Sequence, residues 1–71
     1  MNKKIYGIDI EGGDYLYIGK KIKGGSVISY IEDGTKEYED HIFVRFCFFD
    51  ENSTLIAEIL NRRVTVYYEK V

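Results

Sequence analysis

Apolar and polar side chains alternate along most of this chain, and short glycine-rich or polar points interrupt the alternation. A period of two is the mark of strands that turn one face to a core. Gly12-Gly13, Gly24-Gly25 and Asp33-Gly34 read as hairpin turns, because primed turns need the positive φ that glycine adopts without a Cβ clash. The runs between them are 3–11, 15–23, 26–32 and a long 36–49. A polar break at 50–53 follows, then 54–60 and 63–70 on either side of Asn61-Arg62.

Folding the chain at these turns places nearly all core-type residues on one side. A three-residue loop at Gly12-Gly13-Asp14 sets Ile10 against Leu16 and Ile8 against Ile18. A two-residue Gly24-Gly25 turn sets Ile22 against Val27 and Ile18 against Ile31. Reversal at Asp33-Gly34 keeps Ile42, Val44, Phe46 and Phe48 on that face. A four-residue loop at 50–53 brings Leu55 to Phe48, Ala57 to Phe46 and Ile59 to Val44. The last fold sets Val64 on Ile59, Val66 on Ala57 and Tyr68 on Leu55. A slip of one residue at any turn would flip whole strands. Segment 54–60 also fits a short helix, with Asn52 or Ser53 as cap, and both conformations stay open. A cross-strand match of Arg45 with Glu58 favours the strand. The expected fold is all-β: an antiparallel meander of five to six strands, bent at Gly7 and Gly19. Such a sheet curls into a half-open SH3-like or OB-like barrel.

Length and composition narrow the function classes. The 71 residues make a single all-β domain, 1–71. A chain this short buries only about 60% of its unfolded surface, so oligomerisation is the expected source of added stability. One cysteine excludes an internal disulfide, and one histidine with one cysteine argues against a structural zinc; no metal or cofactor is expected. A net charge of −2 speaks against a strongly basic nucleic-acid binder. The opening residues are too polar for a secretory leader, and no apolar run approaches the roughly 18 residues of a membrane span. With a free thiol, these features suggest a cytoplasmic setting. A phage or mobile-element context is compatible, and no residue establishes it.

The outward face is unusual. It is expected to carry Ile5, Tyr15, Tyr17, Ile28, Tyr30, Phe43, Phe49, Ile56, Leu60 and Tyr67 among a few charges. A solvated face is normally more uniformly polar, and tyrosine and phenylalanine suit interfaces. Segment 32–40 adds five acids against one lysine around a tight turn, with Glu37, Glu39 and Asp40 beside Tyr38. Such a cluster suits either a solvated loop or an acidic finger with an aromatic anchor. Tyr15 and Tyr17 near Lys20, Lys21 and Lys23 offer stacking surfaces beside phosphate-binding charges. No Walker or dinucleotide pattern accompanies them. His41 and Cys47, six residues apart on one strand, would stand roughly 20 Å from each other, too far for a thiolate–imidazole pair.

These readings converge on a small non-catalytic binding protein: an inhibitor, adaptor or accessory subunit that occupies a protein partner. Tyr30, Phe43 and Ile56 on the sheet face, with Glu37, Tyr38, Glu39 and Asp40 on the hairpin, are its expected contacts. A homodimer through the Tyr30, Phe43 and Ile56 face is expected as well. The alternative is a module that binds single-stranded nucleic acid or a nucleotide through Tyr15, Tyr17, Lys20, Lys21 and Lys23.

Overall fold

The structure, a computed structural model, describes residues 3–69. Its strands are β1 (Ile5–Ile10), β2 (Tyr15–Tyr17), β3 (Tyr30–Asp33), β4 (Lys36–Glu37), β5 (Ile42–Phe43), β6 (Arg45–Phe49), β7 (Leu55–Leu60) and β8 (Val64–Tyr68). They pair antiparallel as two three-stranded sheets, β2-β1-β8 and β3-β6-β7, with β4 and β5 forming a separate ribbon. Within segment 54–60, Leu55–Leu60 is therefore strand and not helix. The irregular hairpin between β2 and β3 links the sheets: Gly19 N–H donates to the Ile28 carbonyl (2.8 Å), and Ser29 N–H donates to Phe49 on β6 (2.7 Å). On the opposite side β7 and β8 share no ladder, so among the described residues no closed barrel forms.

The inner face follows the alternation because most register errors are even. Ile8 pairs with Leu16 and not Ile18: the first loop is Glu11-Gly12-Gly13, closed by Ile10 N–H on the Asp14 carbonyl (3.1 Å). Likewise Phe48 pairs with Ala57 and Phe46 with Ile59, two residues from the expected register. A two-residue shift leaves each side chain on its own face. Ile8, Ile31, Phe46, Phe48 and Ile59 are all buried as expected, with Ile5 and Ile28 completing the core.

Ile28 is a correction. The second loop holds three residues, Lys23-Gly24-Gly25, closed by Ile22 N–H on Ser26 (2.8 Å), with both glycines at positive φ (92° and 87°). That odd shift turns Ile28 inward (1% exposed) and Val27 outward (46%). Ile5, expected outside, is buried because a bulge between Ile5 and Gly7 lets Ile5 and Ile8 both point in. Leu55 and Tyr68, expected inside, are exposed. Leu55 lies beyond a bulge opposite Phe49, and Tyr68 lies beyond the β1 bulge.

The largest correction concerns the ends of β7 and β8. Asn61 takes a left-handed conformation (φ 49°) and clasps Val44, donating its N–H to the carbonyl (2.8 Å) and accepting the Val44 N–H at Oδ1 (3.0 Å). This ends β7. Glu11 N–H then binds the Arg63 carbonyl (3.0 Å), which draws β8 onto β1 instead of β7. The pairing of Val64 with Ile59 is not made; Val64 pairs with Ile10 and still packs on the core. Lys70, the expected end of the last strand, lies outside the described residues.

Candidate functional site

Asp33-Gly34 does not reverse the chain. Gly34 is not at positive φ, as a primed turn would demand of it. Instead Asp33 Oδ1 accepts the Thr35 N–H (2.9 Å), which bends the strand without folding it. The Thr35 hydroxyl takes the place of a backbone group and accepts the Arg45 N–H (3.2 Å). The register of β3 with β6 then continues into β4 with β5: Asp33 faces Phe46, Lys36 faces Phe43 and Glu37 faces Ile42. The reversal comes at Glu39-Asp40, closed by Tyr38 N–H on the His41 carbonyl (2.8 Å).

The result is an arm that extends past the sheet. Among the described residues β4 and β5 pair only with each other, and Ile42, expected in the core, is exposed because no described sheet lies beneath it. Glu37, Tyr38, Glu39 and Asp40 are all exposed at the arm's end, so the four residues of the acidic segment are brought together. Tyr38 stacks on His41 with ring centroids 4.7 Å apart, and His41 Nδ1 lies 2.6 Å from Asp40 Oδ1. Among the described residues Glu32, Asp33, Glu37 and Glu39 form no ion pair, which leaves a negative tip around one aromatic ring. Sequence reasoning placed His41 mid-strand and missed its part in the tip. An adjacent Asp-His in a run of acids was the available signal.

The expected aromatic face is only partly assembled. Tyr30 stacks on Phe49 (centroids 4.8 Å apart), and Phe43 is half-buried on the arm. Ile56 is corrected: it sits at the β7 bulge and packs on the core. Between them Arg45 Nε donates to Glu58 Oε2 (2.6 Å), a diagonal pair, since Glu58 stands opposite Cys47. That hydrogen bond, then the nearby Cys47 and the Glu58 charge, raises the Arg45 pKa above its ordinary value.

On the outer side of β2-β1-β8, Tyr15 stacks on Tyr17 (5.2 Å) and meets Tyr67 edge-on (5.9 Å). Lys20 Nζ donates to the Tyr15 carbonyl (2.8 Å) and lies 5.9 Å from the Tyr17 ring centre. Tyr15, Tyr17 and Lys20 thus come together, while Lys21 and Lys23 stand exposed on the following hairpin. Tyr67, expected on the same outward face but not counted with the lysine site, joins it; its signal is Gly7, its strand partner, which leaves room for the rings. Desolvation foremost, then Tyr6, Tyr67, Asp9 and Tyr17, raise the pKa of the Tyr15 hydroxyl.

Other features offer less. A groove between the β2–β3 hairpin and the 50–52 loop contains Asp50, but its Oδ1 already accepts the Asn52 and Thr54 N–H groups (2.9 Å each). Cys47 is buried at mid-strand. Among the described residues no three acids, histidines or cysteines gather as metal ligands, and no helix is long and apolar enough to cross a membrane. No protein-family model, no curated protein and no solved structure matches this chain.

Proposed function

We propose that this protein is a non-catalytic binder, an inhibitor, adaptor or accessory subunit of the cytoplasm, that inserts its acidic arm into a basic recess of a protein partner. One observation carries the reading: Glu37, Tyr38, Glu39 and Asp40 stand together, exposed, on a hairpin that pairs with no other strand among the described residues. Acids steer the encounter over distance, and a rigid aromatic ring supplies buried area at low rotamer cost. The linked sheets, open between β7 and β8, serve as the support, and we liken that layout to a half-open SH3-like or OB-like barrel. A homodimer would present two arms and gain avidity for a partner with paired sites.

The test is capture from a lysate of the source organism, followed by reconstitution with the purified partner. Glu37→Gln/Glu39→Gln/Asp40→Asn should abolish capture at physiological salt, and Tyr38→Ala should weaken the complex by about 2 kcal/mol, roughly thirtyfold in Kd. Retention of the same partner by the triple variant, or of nothing by the wild type, would remove this reading.

A second reading is supported by the stack of Tyr15 on Tyr17 with Lys20 alongside: a platform for single-stranded nucleic acid or a nucleotide. Asp9, opposite Tyr15 on the same face, opposes it. Titration with a single-stranded oligonucleotide decides the matter, since phosphate contacts are strongest at low salt. Absence of binding there rejects the platform.

A further inference from the structure

We propose that two copies of this chain join through the open edge of β7, antiparallel about a two-fold axis, to make one six-stranded sheet. The inference is independent of the arm's role.

The backbone supplies the first argument. Val44 turns its N–H and C=O to the β7 side, where both meet Asn61, while Arg45 turns its own to Gly34 and Thr35. Alternation along β6 then directs Phe46 and Phe48 toward β7, so Ile59 and Ala57 form the bonded pairs. Glu58 and Leu60 point their N–H and C=O groups the other way. Nothing within the described residues bonds them there, since β7 ends the β3-β6-β7 sheet. Such groups are a template for another strand.

The second argument is the missing protection. Natural edges are guarded by lysine, proline or an inward charge. From Leu55 to Leu60 there is one charge, Glu58, and Arg45 neutralises it at 2.6 Å. Leu55 and Leu60 flank the strand with 44% and 46% of their surface exposed. β2, β3 and β8 end the sheets as well, but β2 and β3 are only three and four residues long, and β8 is followed by Glu69, which pairs with Lys4.

The occupant follows from the chemistry of the strand. A neutral apolar edge is its own complement when turned by a two-fold axis, whereas a charged foreign segment finds no counter-charge on it. Centring the axis on Glu58 would oppose two carboxylates, and centring it on Ala57 would draw the bulge at Ile56 into the ladder. Centring it on Ile59 avoids both. Glu58 of each copy then exchanges its backbone bonds with Leu60 of the other, and the Leu60 side chain covers the Glu58 and Arg45 stems. A seam of three residues from each copy is a small interface, so the dimer is expected to be weak and to form only as concentration rises.

Sedimentation equilibrium tests this directly. The mass should climb from 8.3 kDa toward twice that value as concentration rises to about 0.5 mM. Hydrogen exchange followed by NMR should show Glu58 and Leu60 amides becoming protected in step. Leu60→Pro removes an N–H aimed at the second copy and leaves the β6 ladder whole, so it should stay monomeric, whereas Leu60→Ala keeps the N–H and should still dimerise. A wild-type monomer at about 0.5 mM, or a folded Leu60→Pro dimer, overturns the proposal. Should Leu60→Pro fail to fold, the wild-type amides decide: fast exchange at Glu58 and Leu60 in a sample of doubled mass also overturns it.

Discussion

Gly7 shows how much one missing carbon arranges. A Cβ there would lie 2.6 Å from the Tyr15 hydroxyl and 3.0 Å from its ring, so the tyrosine lies over the strand only because the position is glycine. Gly7→Ala should keep the fold, since the obstructing atoms belong to a side chain that can swing aside. It should also displace Tyr15 and lower its hydroxyl pKa toward the ordinary 10.0. The folded state favours the neutral phenol, so that contribution to stability is complete below the unfolded value of 10.0 and is lost as pH rises through the raised folded value. Carbon NMR of the ring through an alkaline titration reads both effects. Deeper in, Phe48 is fully buried and Phe46 nearly so (5% exposed). Phe46→Ala should cost about 3–5 kcal/mol, and Phe48→Ala at least as much, in urea unfolding. Losses of that size approach the whole stability of so small a domain. Both residues were legible as core because side-chain alternation survives any even error in register.

At the scale of elements, loop length decides what sequence reveals. Gly24-Gly25 is compatible with two or three loop residues, and only the longer loop buries Ile28 in place of Val27. Nothing local distinguishes the two, because glycine satisfies either. Asp33-Gly34 misleads for a different reason: the same aspartate that favours a turn can bend a strand by binding Thr35, and the outcome depends on Arg45, ten residues on. The partnership of β8 with β1 has no local signal at all, since it rests on Asn61 ending β7. Asn61→Ala should therefore destabilise the corner by about 1–2 kcal/mol, losing the Val44 bond while keeping a left-handed backbone that alanine disfavours. Asn61→Gly should cost less, because it accepts the backbone and loses only the bond. Denaturant midpoints at constant slope measure the difference.

The whole molecule is longer than a sphere of its mass. Its radius of gyration is 12.4 Å against about 11 Å for a typical compact chain of this size, and its extents are 38 × 29 × 24 Å. The arm is an appendage to a core built without it, which gives a clean dissection. Replacing residues 36–43 by Asn-Gly joins Thr35 to Val44 through a two-residue turn. The shortened chain should melt within about 1 kcal/mol of the parent, because Ile31, Phe46 and Phe48 are untouched, yet capture no partner. Loss of folding would show that the arm is structural. The acidic tip was legible in composition alone; its projection was not, because that depends on where a hairpin reverses.

Pairing the first strand with the last has a consequence for how the molecule comes into being. On a ribosome, the β3-β6-β7 sheet can assemble from neighbouring segments as they emerge. β1 is made early and has only the short β2 beside it until β8 arrives, as the pairing of Asp9 with Thr65 requires. The contact that completes β2-β1-β8 thus spans most of the chain, the kind of topology that folds in milliseconds to seconds. During that interval Ile5 and Ile8 lack their final cover, and the nascent chain is exposed to misassembly until β8 emerges.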